Sequence, residues 1–329
     1  MKYAVAFTIG LAIAAGSVAA GVEQAIDDQI LPGYAAFSDA TAALRQTAMN
    51  DCTAAAIRPD WNGAMDAWLG VGHLRFGPAE AEGRATAIAF WPDTRGATAR
   101  TLADLLIARD PVIDTPEGTA TLSVAARGLY ALELLLYDPQ FDDNGAYGCA
   151  LLRALTTDLA AMAASIEDEW QNGYADALRH AGDPGNDVFL SEREARQTLF
   201  TALLTGLEFI ADQRLGRPMG TFERPRPARA ESWRAGRSQR NVILSLRALS
   251  GLADALADSG TPRTDAAFSR AMDLADTLDD PVFGAVVDPT GRLRVEVLQQ
   301  AVRDARETAL MELGPALGVS AGFNSADGD

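Results

Sequence analysis

Histidine, cysteine and lysine are almost missing from this chain of 329 residues. It has two histidines, His73 and His180, two cysteines, Cys52 and Cys149, and one lysine, Lys2. Each scarcity excludes something. With no His-Glu-x-x-His, a zinc protease of that helical type is ruled out. No Gly-x-Ser-x-Gly elbow, phosphate loop or dinucleotide fingerprint stands at a strand-to-helix junction. Net positive charge is lacking too. The formal charge is -17, which argues against nonspecific nucleic-acid binding. Alternating strand patterns are absent, so the expected class is all-α.

What is present starts with an N-terminal leader. Met1-Lys2-Tyr3 precedes an apolar run from Ala4 to Ala15, followed by the small residues Gly16-Ser17-Val18-Ala19-Ala20. This is the pattern of a secretory signal peptide cut near Ala20, and it predicts an exported, periplasmic protein. Losing the leader removes Lys2 and no acid, so the charge becomes -18. No later stretch reads as long enough to span a membrane, so no transmembrane segment is expected. Export permits disulfides. Cys52 and Cys149 are expected to bridge, with two separate buried thiols as the alternative; closing so long a loop is worth about 4 kcal/mol on the chain-entropy model.

Helical spacing recurs along the mature chain. One helix runs from Val22 to Asn50 and is interrupted at Pro32. Pro59 opens a second, which ends at Gly72, and a third starts at Asp93 or Thr94. Thr115-Pro116-Glu117 is expected to cap the helix that ends at Asp138. A long helix spans 148–179. Gly182 to Asp187 is the clearest break. It divides an N-terminal bundle, 21–182, from a C-terminal bundle, 188–315, with a frayed tail over 316–329. In the second half, Ser191 and Glu194 form a capping-box pair. Helices follow over 231–256, 266–278 and 293–313.

The chemistry gathers around Arg127-Gly-Leu-Tyr-Ala-Leu-Glu-Leu-Leu-Leu-Tyr-Asp138. This helix is apolar almost all round, yet it carries Glu133. A buried carboxylate must be paired, coordinated or protonated. Tyr130 lies one turn back on the same face. His73, with Arg75 beside it, is a candidate metal ligand or acid–base partner for Glu133. Arg75, Arg127, Arg234, Arg237 and Arg240 are candidate cations for buried acids, and Ser238 and Asn241 share a face with Arg234. A short likeness between 131–138 and 206–213 suggests a second buried acid, Glu208.

Together, Trp68-x4-His73-Leu-Arg-Phe-Gly-Pro78, Phe90-Trp-Pro-Asp93, Arg127-Gly-Leu-Tyr-Ala-Leu-Glu133 and Glu231-Ser-Trp-Arg-x2-Arg-Ser-x2-Asn241 resemble the imelysin-like family. The closer likeness is to its predicted periplasmic lipoprotein branch, although this chain has no lipidation cysteine. The resemblance covers essentially the whole mature chain. It implies two related helical bundles with a pocket at their interface, a bacterial envelope location and an association with iron uptake. Some members are named as metallopeptidases with the hallmark Gly-x-His-x-x-Glu. Here Gly128 and Glu133 match, but Tyr130 stands in place of the histidine, and tyrosine is a poor zinc ligand at neutral pH. The expectation is therefore a binding protein rather than an enzyme. It would hold a metal ion, iron above all, or a small anionic ligand. Its pocket would be lined by His73, Arg75, Tyr130, Glu133, Arg234 and Ser238, with Glu133 and His73 as metal ligands. Other envelope iron-uptake proteins are the expected partners. A metal-dependent peptidase and an interaction scaffold are the rival readings.

Overall fold

The computed structural model describes residues 18–142, 145–257 and 260–320. Apart from its last three residues, the expected leader lies outside this range, as do residues 321–329 of the expected tail. The described chain contains helices, turns and no strand. The all-α expectation holds.

Helix α1 (Val18–Ala25) passes through a wide π turn at Ile26–Ile30 into α2 (Leu31–Asn50). Pro32 sits in the first turn of α2, where a missing N–H is tolerated, so the irregularity lies just upstream of it. Next comes α3 (Ala54–Val71), capped by Thr53, whose hydroxyl accepts from the Ala56 N–H. Pro59 falls inside this helix and does not open it. The first half continues with α4 (Arg84–Ile88), α5 (Ala97–Ala108), α6 (Pro116–Ala120), α7 (Gly128–Tyr137), α8 (Gly145–Glu169) and α9 (Ala175–Arg179). The second half holds α10 (Glu192–Phe209), α11 (Gly216–Met219), α12 (Ser238–Leu256), α13 (Pro262–Asp276) and α14 (Pro289–Leu317). Ser191 caps α10 as expected, while Glu194 reaches back to the Leu190 N–H.

Two expected helices are shorter than their patterns suggest. Thr115 does act as a cap, but only of α6, and the chain is extended again at Arg127 before α7 begins. Residues 231–236 form turns rather than the start of a helix. Ser232 and Gly236 have φ of 48° and 70°, which a right-handed helix does not accept. At the other end, α14 runs to Leu317, and Leu317 and Val319 are buried.

α2 packs on both α3 and α8, and α7 lies against α3, α5 and α8. In the second half α10, α12, α13 and α14 pack together. α1 crosses over to lie on α9, α10 and α12, and α12 also packs on α3. The buried apolar side chains form one continuous cluster from Val22 to Val319. The Cys52–Cys149 bridge forms as expected and ties the entrance of α3 to α8. The helical run over 145–179 is, by length and composition, apolar enough to cross a membrane, contrary to the sequence expectation. Here it acts as a core helix: Leu151, Leu155, Leu159 and Ile166 are buried in the cluster.

α7 is the buried centre of the first half, with every residue from Gly128 to Leu136 buried. Two residues of α3 hold its carbonyls. Trp61 Nε1 donates to Leu129 O at 2.9 Å, and Arg58 donates to Leu136 O at 2.6 and 2.9 Å. Gly128, at φ 70°, begins the helix against the end of α4, where a Cβ would lie 2.2 Å from Ala87 O and 2.3 Å from Ile88 O. No other residue fits that approach.

Candidate functional site

Tyr130 and Glu133 lie three residues apart on α7, and each belongs to a different setting. The Tyr130 hydroxyl donates to Glu231 Oε1 at 2.5 Å. Glu231 is 1% exposed and its other oxygen accepts from Arg214 Nε at 2.6 Å and Asn241 Nδ2 at 2.9 Å. Three donors from three segments therefore converge on one buried carboxyl group. Burial and the neighbouring Glu231 carboxylate push the Tyr130 phenol well above its ordinary pKa. Arg214 reaches this point because another wide π turn, Ile210–Leu215, follows α10. Such turns re-aim side chains at functional positions. Asn241 in turn accepts from Arg237 Nε at 2.8 Å, and Arg237 donates to Asn62 at 2.6 Å and Asp66 at 2.5 Å. This buried network binds α12 to α3.

A cavity of about 260 Å³ opens beside the Tyr130–Glu231 pair. Its polar wall includes His73, Arg75, Tyr130, Arg214, Glu231 and Ser245; Trp91, Phe209 and Leu249 are among its apolar residues. The lining comes from both halves of the sequence. The Trp91 ring stacks on Tyr130 at 6.3 Å and meets Phe209 edge-on at 5.9 Å. His73, at the end of α3, makes no hydrogen bond or ion pair through its ring among the described residues. Desolvation and the Arg214 charge lower its pKa to about 4, so its imidazole is neutral at neutral pH.

A second cavity, of about 210 Å³, shares Tyr130 and Trp91 with the first. Glu133 belongs to this one, with Ser232, Trp233, Arg234, Arg217, Arg229 and Asp93. Glu133 is 3% exposed and accepts from the Ala235 N–H at 3.3 Å, with the Ser232 hydroxyl beside it. Burial raises its pKa to about 7, against the pull of that N–H and of the Arg234 charge.

The expected pocket residues are thus only partly brought together. His73, Arg75 and Tyr130 share the first cavity, while Tyr130, Glu133 and Arg234 share the second. His73 and Glu133 line different cavities. Arg75 is exposed and pairs with Glu80 at 3.0 Å. Arg234 pairs with Asp138 at 2.6 Å and stacks on Trp233. Ser238 is buried at the first turn of α12, its hydroxyl has no hydrogen-bond partner among the described residues, and it lines neither cavity. Arg127 pairs with Asp158 at 2.7 Å and Arg240 with Asp66, so neither serves Glu133. Glu208 is 34% exposed and pairs with Arg306 at 3.1 Å; it is not a second buried acid. Among the described residues no group of three His, Cys, Asp or Glu side chains comes together as a metal site.

Glu231, Arg214, Arg217 and Arg229 were not singled out as pocket residues from the sequence. Glu231 opens the polar stretch Glu231–Asn241, and that polarity was its signal. Arg214 had none, because its direction depends on the π turn.

Opposite titrations mark the two cavities. The folded chain keeps the Glu133 proton up to about pH 7, the unfolded chain only to about 4.5. Stability therefore falls as pH rises through that window, by up to roughly 3 kcal/mol. His73 gives up its proton at about pH 4 when folded and 6.5 when unfolded, so its contribution rises with pH between those values by a similar amount. The two slopes oppose over most of the range. In Glu133→Gln, stability relative to the native chain should rise from pH 4.5 to 7. In His73→Gln it should fall from pH 4 to 6.5. Urea midpoints measured across these windows test both signs.

The geometry defines the class: an all-α protein with two cavities meeting at one buried helix. The chain belongs to the imelysin family, whose family model, Imelysin, matches residues 30–309. It is 23% identical over 321 residues to iron-regulated protein A of Synechococcus elongatus, covering 88% of this chain and 84% of that protein. Two crystal structures share the fold. An imelysin-like protein from Psychrobacter arcticum has a TM-score of 0.78 at 20% identity, covering 96% of this chain and all of that one. A putative iron-regulated protein A precursor from Parabacteroides distasonis has a TM-score of 0.73 at 13% identity, covering 89% and 93%.

Proposed function

We propose that this chain is an exported, periplasmic binding protein of iron acquisition. Iron is its cargo, held with the anionic groups that carry it in the cavity between His73 and the Tyr130–Glu231 pair. In this reading the cavity lies at the interface of the two bundles, residues 21–182 and 188–315. Support comes first from His73, a neutral imidazole without a hydrogen-bond or ion-pair partner among the described residues, facing the same cavity as a phenol and a carboxyl group. Imidazole, phenol and carboxyl oxygen are donors that iron accepts. Glu231 thus takes the carboxylate role that the sequence assigned to Glu133.

Electrostatics favours an anionic companion. Arg75 and Arg214 border the cavity, and a bare cation beside them is repelled. The names of the relatives, iron-regulated proteins, point to the same physiology. Tyr130 in the position of the family's histidine favours binding over peptide hydrolysis. An envelope iron-uptake protein is the partner that would deliver or receive the cargo.

Titration of the mature protein with ferric citrate tests this reading, with citrate alone as the control. Phenolate bound to ferric iron absorbs visible light, so a visible band should grow to saturation. Tyr130→Phe should abolish the band, and His73→Ala should weaken binding at least tenfold. A band of equal strength in Tyr130→Phe, or no saturable binding of ferric citrate, rejects the proposal.

A further inference from the structure

The second cavity carries features that the iron reading leaves unused. Two of its arginines have no acid. Arg217 makes no ion pair among the described residues, and its buried Nε has no hydrogen-bond partner. Its guanidinium stands over the Trp91 ring at 6.0 Å. The exposed side chain of Arg229 is likewise without an ion pair or hydrogen bond among the described residues, and Arg217's own burial, together with the Arg229 charge, lowers the pKa of Arg217. Two guanidinium groups face one cavity and repel each other.

The rest of the wall offsets them only in part: the Asp93 carboxylate shares the cavity, but no acid makes an ion pair with either arginine among the described residues. Asp93 spends its oxygens on the start of α5, accepting from the Thr98 N–H at 2.8 Å and the Arg95 N–H at 3.2 Å. Arg234 is matched by Asp138. Ser232 is 3% exposed, and its hydroxyl lies against the Glu133 carboxyl, whose charged form it favours, at a geometry too poor for a full hydrogen bond. A buried donor without an acceptor is costly, and Arg217 Nε and the Ser232 hydroxyl are such donors. An anion in the cavity would supply acceptors to Arg217, Arg229 and Ser232 together.

We infer that this cavity is a second binding site, for a small carboxylate, clamped by Arg217 and Arg229 with Ser232 donating from the inner wall and Trp91 and Trp233 as sides. The planar forks of arginine match a carboxylate or a phosphate. The carboxyl of Glu133 decides for the former. It can share a proton with a bound carboxylate, whereas a phosphate dianion beside Glu133 and Asp93 meets greater repulsion. The site lies across Tyr130 from the iron cavity and does not depend on it.

The test uses the mature protein with succinate and inorganic phosphate as probes, read by calorimetry and by the fluorescence change of the tryptophans. Succinate should bind saturably. Arg217→Gln and Arg229→Gln should each weaken it at least tenfold while keeping the native thermal midpoint within a few degrees. Arg217→Lys, which keeps the charge but loses the fork, should weaken it less than Arg217→Gln. His73→Ala should leave succinate binding unchanged. Saturable binding of phosphate without succinate overturns the carboxylate assignment. Absence of binding by either probe, or equal succinate affinity in native protein and Arg217→Gln, overturns the site.

Discussion

Glu231→Ala is expected to destabilise the protein by roughly 3–5 kcal/mol, the usual cost of removing one member of a buried ion pair. Three donors lose their acceptor at once: the Tyr130 hydroxyl, Arg214 Nε and Asn241 Nδ2. Arg214 keeps its charge with little access to water, its side chain being 12% exposed. Most of the loss should therefore come from a stranded cation and not from a missing contact. Glu231→Gln retains an acceptor for Tyr130 and should lose less. Urea unfolding measures both, and an unchanged m-value with a lowered midpoint identifies a loss of native stability. A loss below about 1 kcal/mol in Glu231→Ala would mean that the network is solvated in solution.

Gly128→Ala should cost a similar roughly 3–5 kcal/mol by a different route. A side chain at φ 70° is strained, and here it also meets the carbonyl oxygens of Ala87 and Ile88 at 2.2 and 2.3 Å. Those oxygens are backbone at the end of α4, so α4 or the whole of α7 has to move. Because α7 carries both Tyr130 and Glu133, the displacement should disturb both cavities as well as stability. Gly83→Ala provides the comparison, since Gly83 also has positive φ but no neighbouring atom within 4 Å. Its cost should be confined to the backbone term, about 1–2 kcal/mol.

The fold was largely legible because helical spacing is a local signal. Ser191 before α10 is a cap that acts within three residues; Thr53 before α3 carries the same signal, although from sequence Pro59 is the expected start of that helix. Thr115 shows the limit of that signal. It caps α6, but nothing in the sequence says that the helix stops after one turn and that another begins at Gly128. The candidate site was legible in its members and not in its pairing. Glu133, Tyr130 and His73 were recognisable as unusual in their surroundings. Which acid faces His73 depends on the turns over 231–236, where Ser232 and Gly236 leave the helical region and carry Glu231 to Tyr130. Arg214 depends on the extra residue of a π turn in the same way. These are tertiary outcomes of backbone irregularity, and neither residue spacing nor composition encodes them.

Metal analysis of protein purified from the envelope decides which cavity holds the cargo. The native chain, His73→Ala and Glu133→Ala should be compared at equal folded concentration. Iron should accompany the native chain and Glu133→Ala, because Glu133 faces the other cavity, and should be lost from His73→Ala. Equal iron in the native chain and His73→Ala, or its loss only in Glu133→Ala, would contradict the placement of the cargo between His73 and the Tyr130–Glu231 pair.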